Sequence, residues 1–230
     1  MLWKKGWYET RTRLLMVLAL VVVITVLTMG PPPPAAAGLG PLVGATTMPA
    51  MFAAILLAGA GVKTQLGGLQ RSKGLHGSMY YTLSLPVKRT RLFNVRVSLG
   101  LAETAGILVL TWSALWLVNP AIRLSATPFD MFKQGVVTFF CVTVVYSLGV
   151  FFAAFLDDVY QHWATVFTVV GTIVILSRVP LPASMNAFLV LSLTSPLTTH
   201  TMPWTAMAVL LGLSGMLLLI ALKIVRSLEY

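Results

Sequence analysis

From about Trp204 to Leu222 the chain carries no Asp, Glu, Lys, Arg or His. That is close to the roughly 20 apolar residues that a helix needs to cross a bilayer. The pattern recurs. Counting hydrophobic runs gives six spans, at 14–29, 42–62, 97–118, 134–155, 159–179 and 204–222. These runs are apolar on every side, whereas a transmembrane β-barrel is written in short alternating segments. The expected fold class is therefore an all-α integral membrane protein with six transmembrane helices. With 57% hydrophobic and 10% charged residues and a mean hydropathy of +0.88, the chain leaves no room for a soluble domain. Residues 1–230 read as a single transmembrane domain, and the largest piece outside the membrane is 63–96.

The formal charge of +10 has a topological reading before a nucleic-acid one. With the N-terminus in the cytoplasm, the inner side holds Lys4, Lys5, Arg11 and Arg13, the 63–96 loop, and Lys223 and Arg226. That loop carries Lys63, Arg71, Lys73, Lys88, Arg89, Arg91 and Arg96, and only Arg123, Lys133 and Arg178 remain outside. This bias orients both termini to the cytoplasm and points to no nucleic-acid partner. Asp157 and Asp158 fall on an inner loop, where acids contribute little to orientation.

Before the first span, Trp3, Trp7 and Leu14 recur on one helical face, with Lys4, Lys5 and Arg11 largely elsewhere. That pattern predicts an interfacial helix over 1–13, lying among headgroups. The alternative is a secretory signal ending near Ala35-Ala36-Ala37, which would leave the later spans oriented in the same way. The prolines Pro31 to Pro34 make 30–41 a stiff outer connector. Between Pro182 and Pro196 the apolar core at 187–193 is too short to cross, so it reads as a re-entrant or outer-interface segment.

A search for catalytic chemistry excludes more than it finds. Cys141 is the only cysteine, so no disulfide and no thiolate zinc site forms within one chain. The three histidines are scattered, and no H-E-x-x-H occurs, so no metal site is expected. Asp157 and Asp158 are adjacent, and on a helix they point about 100° apart rather than facing each other. The segment Gly59-Ala-Gly-Val-Lys-Thr64 lacks the Gly directly before Lys that a phosphate-binding loop needs. No catalytic residues and no cofactor are expected in this chain. Glu103 is the acid well inside a predicted span; it reads either as a carboxylate locking span three against the basic N-terminal helix or as a polar point on a substrate or proton path. Span four is rich in aromatics, Phe139, Phe140, Tyr146, Phe151, Phe152 and Phe155, which read as packing between helices or touching lipid.

The loop after span two holds the most informative motif. Gly77-Ser-Met-Tyr-Tyr-Thr-Leu-Ser-Leu-Pro-Val-Lys-Arg89 resembles a stretch of the permease subunits of type 2 ABC exporters. In that family a Gly and a small hydroxyl residue precede a Leu-Ser-Leu-Pro-Val run, and basic residues lead into span three. The wider layout resembles the family too, with an interfacial helix, six spans, a long loop between spans two and three, and a short membrane-dipping segment before the last. The chain departs from the family over Gln70 to His76, which is basic where acids are common.

The resemblance implies a permease without an ATPase site of its own, working with a second permease copy or a related chain. ATP and Mg would belong to separate nucleotide-binding subunits, docked on the coupling loop around Leu75, Gly77, Ser78, Met79 and Leu83. Independently of family, Leu66, Leu69, His76, Met79, Tyr80 and Leu83 fall near one helical face, which a partner's groove could cover. Pro86 then stops a helix. Lys88, Arg89, Arg91 and Arg96 would sit among anionic headgroups as a cytoplasmic anchor for span three. Two other readings stay open at this point: a proton-coupled secondary transporter, and a non-transporting membrane scaffold or sensor.

Overall fold

The computed structural model describes residues 2–27, 40–58, 89–156, 158–178 and 200–227. Among them the chain is entirely helical: α1 (Leu2–Leu27), α2 (Gly40–Leu57), α3 (Arg89–Val118), short α4 (Pro120–Ser125), α5 (Pro128–Ala153), α6 (Asp158–Arg178) and α7 (Trp204–Ser227). Three of these, over Phe93–Val118, Pro128–Ala153 and Trp204–Ser227, are long and apolar enough to cross a membrane.

Local chemistry sets where these helices begin and end. Thr127 has extended backbone (φ −76°, ψ 158°), and its Oγ1 accepts from the Asp130 N–H at 3.2 Å, satisfying one of the orphan donors of α5. The Thr127 hydroxyl in turn donates to Asp130 Oδ2 at 2.7 Å, and Pro128 occupies the first helical position, where its missing N–H costs nothing. Hydropathy alone places this span at 134, six residues late, because capping residues are polar and a run count skips them. Likewise α3 opens at Arg89 rather than Val97, because a hydropathy count skips the charged first turns, where Arg91 is exposed. At its far end Asn119 closes α3 through its N–H to Leu115 O (2.8 Å) and opens α4 through Oδ1, which accepts from the Ile122 N–H (3.4 Å).

One expectation is corrected. An interfacial helix over 1–13 followed by a separate span from 14 is not what forms: α1 is continuous from Leu2 to Leu27. No helix breaker falls between Thr10 and Leu14, so the amphipathic start and the apolar run share one ladder. At 1.5 Å per residue this 26-residue helix is about 39 Å long. The expected short segment at 187–193, the loop from 63 to Lys88 and all of the connector at 30–41 except its last two residues, which open α2, lie outside the described residues.

Helix α5 is the hub. It packs against α2, α3, α6 and α7, while α1 packs against α2 and α3. One cluster of buried side chains, including Val17, Leu57, Ile107, Leu115, Val142 and Val150, joins α1, α2, α3 and α5; a second, with Val137, Cys141, Met207 and Leu210, seals α7 to α5. The outer surface is apolar: Met16, Val109, Phe132, Phe167, Leu211 and Leu219 are all exposed. An aqueous surface of that kind would associate, whereas hydrocarbon solvates it without cost.

Candidate functional site

The contacts of α2, α3, α5 and α6 converge at one end of the bundle, where α2 stops. The last carbonyls of a helix lack intrahelical donors and carry the negative end of the helix dipole. At α2 those carbonyls are claimed from two sides. Arg13 Nη1 of α1 donates to Leu56 O at 3.0 Å, and Gln161 Nε2 of α6 donates to Ala58 O at 2.7 Å. Gln161 is 1% exposed, so it is the buried donor of a buried acceptor. In a water-poor setting, losing one partner of such a pair costs about 1–3 kcal/mol.

Two glycines bring the backbones close enough for this arrangement. A Cβ at Gly149 of α5 would strike the Ala58 Cβ, and the Thr165 side chain of α6 lies just beyond. At Gly100 of α3 a Cβ would land in the ring of Tyr146. Tyr146, from α5, is 1% exposed; its hydroxyl donates to Val97 O at 3.3 Å, clasping the third turn of α3. Glu103 is one turn farther along α3. It is buried and interacts electrostatically with Tyr146. Gly100, Glu103 and Tyr146 thus form a polar knot between α3 and α5, inside two of the helices able to span a membrane. The aromatics of span four divide accordingly: Tyr146 packs between helices, Phe139, Phe140, Phe151 and Phe152 are half-buried, and Phe155 is exposed.

The opposite end has its own tie. Asp130 Oδ2 lies 3.2 Å from His200 Nδ1, and Lys133 Nζ is 3.3 Å from Asp130 Oδ1. Lys133 also donates to His200 O at 2.9 Å and sits 4.5 Å from the centroid of the Phe129 ring. This group pins the residues that lead into α7 onto the start of α5. His200 is the one described non-glycine residue with positive φ, at 55°.

Of the residues singled out from sequence, Glu103 and Arg96 are buried and Arg91 is exposed. Exposure suits Arg91 to headgroups; Arg96 sits in the bundle instead. Arg89 opens α3. Leu75, Gly77, Ser78, Met79, Leu83, Pro86 and Lys88 lie outside the described residues. Among the described residues no cluster of His, Cys, Asp and Glu could hold a metal ion. The sequence reading passed over Gln161, Gly100 and Gly149. Their signal was present: an amide at the mouth of an apolar run, and glycines in helix interiors, where they cost stability unless a neighbour needs the space. Asp130 and His200, 70 positions apart, gave no signal.

No family model matches the chain, and neither a curated protein nor a solved structure is recognisably similar to it.

Proposed function

We propose that this chain is the membrane-spanning permease subunit of an ATP-powered exporter, crossing the membrane six times with both termini in the cytoplasm. Nucleotide-binding subunits encoded elsewhere would dock on the loop around Gln70 to Ser84, and a second permease copy or a related chain would complete the path. ATP-driven closure of those subunits would then rock the helices as rigid bodies and open the cavity to alternate sides.

The observation that carries this reading is where the motif-bearing segment is rooted. It leaves the bundle at Ala58 and re-enters at Arg89, and both roots are at the same end. At the first, Arg13 and Gln161 hold the last carbonyls of α2; beyond the second, Tyr146 holds the third turn of α3. A push on such a loop reaches α1, α2, α3, α5 and α6 together. Helix direction supports the orientation as well, because Arg11, Arg13, Arg91, Arg96, Lys223 and Arg226 belong to this end, while Arg123, Lys133 and Arg178 belong to the other.

Gentle detergent purification from the native host, followed by identification of what co-purifies, tests the reading. A nucleotide-binding protein is expected. Its absence under several conditions overturns the proposal. Met79→Asp, which puts a charge on the apolar face of the docking segment, is expected to reduce recovery of that partner; unchanged recovery with normal ATP-dependent transport rejects the docking site.

A further inference from the structure

A threonine inside a helix can turn its hydroxyl back onto a carbonyl of the preceding turn. Thr104 and Thr111 do so to Gly100 O and Ile107 O at 2.7 Å, and Thr143 and Thr165 to Phe139 O and Gln161 O at 2.8 Å. Thr138 of α5 does not. It is 0% exposed, and its Oγ1 has no hydrogen-bond partner among the described residues. A hydroxyl left in that state within a membrane-crossing bundle carries a desolvation cost that a ligand would remove.

The register of α2 against α5 shows what Thr138 faces. The two helices pack together and run in the same direction, since Gly149, near the end of α5, lies against Ala58, at the end of α2. Eleven residues back along each helix, about 16.5 Å away, stand Thr138 and Thr47. Eleven residues make three whole turns and about 20° more, so both threonines keep the face that makes the Gly149–Ala58 contact. Along that face Val142 and Val145 of α5 and Ala50 and Ala54 of α2 are all buried. Met51, one turn from Thr47, packs on the cluster of Val137 and Cys141, so the helices are still together at the depth of Thr138.

Thr47 is buried as well, and Gln134, one turn before Thr138 on the same face of α5, is 0% exposed. Two hydroxyls and a carboxamide, each both donor and acceptor, therefore meet at one buried place. Neither α2 nor the stretch of α5 from Gln134 to Ala153 carries a charged residue, which favours a neutral occupant over an ion. A water molecule, with two to four polar partners, matches that set.

We infer that Thr138, Gln134 and Thr47 bind an internal water between α2 and α5, in the half of the bundle away from the Arg13–Gln161 end. The seam between these helices is then of two kinds. At Gly149 and Ala58 it is dry and close; three turns away it is joined through a molecule that can leave. With α2 clamped by Arg13 and Gln161 at its end, the replaceable bridge puts its freedom to move against α5 at the opposite end. This rests on the packing of α2 on α5 and not on ATP-driven transport.

Two readouts on the full chain in nanodiscs test it. Thr138→Val keeps the shape and removes the hydroxyl. Loss of a water anchor should lower the thermal midpoint by about 2–4 °C. Thr47→Val should cost less on top of Thr138→Val than alone, because both remove the same bridge. A hydroxyl that binds nothing is only a cost, so a midpoint unchanged or raised in Thr138→Val overturns the inference. The second readout, hydroxyl-radical labelling by a radiolytic pulse, needs no variant to begin with. Radicals formed from the bound water should oxidise half-buried Met51 more than Met207, which is 6% exposed on the α7 side of α5. That excess should vanish in Thr138→Val and persist in Thr138→Ser, which keeps the hydroxyl. No excess in the native protein, or an equal excess in Thr138→Val, overturns the inference. So does a midpoint that rises with sodium chloride but not with choline chloride, which would give the site to a monovalent cation. None of these readouts involves an ATPase partner, so they stand or fall apart from the proposed function.

Discussion

Glycine in a helix interior weakens it by about 1 kcal/mol relative to alanine, a cost that a neighbour packed into the freed space offsets. Gly100 has one: the Tyr146 ring occupies the volume where a Cβ would be. Gly100→Val is therefore expected to push α3 from α5, costing roughly 1–3 kcal/mol through overpacking. A lowered thermal midpoint in detergent checks it, and a wild-type midpoint would reject the contact. Glu103, one turn away and buried, tests the other side of the knot. An ionisable side chain at such depth is retained for packing with a polar partner or for a path. If it lies on the path, Glu103→Gln impairs transport while membrane abundance stays normal; equal loss of both marks a structural role.

Among the elements, α2 is held at its end by two others, through Arg13 of α1 and Gln161 of α6. It is 18 residues long and has Pro49 inside it, so it forgoes a backbone bond that other helices of the bundle keep. Packing and end-capping offset that weakness. Gln161→Leu keeps the volume but leaves the Ala58 carbonyl buried without its donor, and about 1–3 kcal/mol of stability should be lost. Chemical-denaturant unfolding in detergent measures this, and unchanged stability would reject the capping role of Gln161. Helix α5, by contrast, carries its own start signal in Thr127, Pro128 and Asp130 and depends on no other element for it. Its neighbour α7 starts where His200 is held by Asp130, a tie that local sequence does not encode.

At the scale of the whole molecule, the helix ends assign residues to two sides. Cys141 is buried, 4% exposed, and should not react with a membrane-impermeant maleimide. In a Cys141→Ala background, Thr12→Cys and Ser227→Cys are expected to be protected in intact cells and labelled after lysis. Pro120→Cys and Thr201→Cys should label without lysis. All four introduced sites are exposed, so the pattern reads side rather than burial. The reverse pattern would invert the molecule, and a mixed one would break the six-crossing reading.

How much of this was legible in the chain depends on the range over which the physics acts. Apolar runs and Lys/Arg placement are one-dimensional quantities, so the all-helical membrane character and six of the helices could be read from sequence to within a few residues at most ends. The exceptions are instructive. Charged turns at Arg89–Arg96 and the polar cap at Thr127 hide helix from a hydropathy count, and nothing between Thr10 and Leu14 marks a break because none exists. Glu103 announced itself as an acid among apolar neighbours. Its partnership with Tyr146 and Gly100 did not, because 43 positions separate Glu103 from Tyr146 along the chain. The sequence by itself determined the solvent, the helices and the charge asymmetry, since each follows from the transfer of side chains and backbone into hydrocarbon. Only the tertiary structure decided that α2 would be clamped by Arg13 and Gln161, that α7 would be tied through His200 to Asp130, and that the Tyr146 ring of α5 would close over Gly100 of α3. Those outcomes depend on which helix faces which, and in lipid that is chosen by close packing and a handful of long-range hydrogen bonds rather than by hydrophobicity.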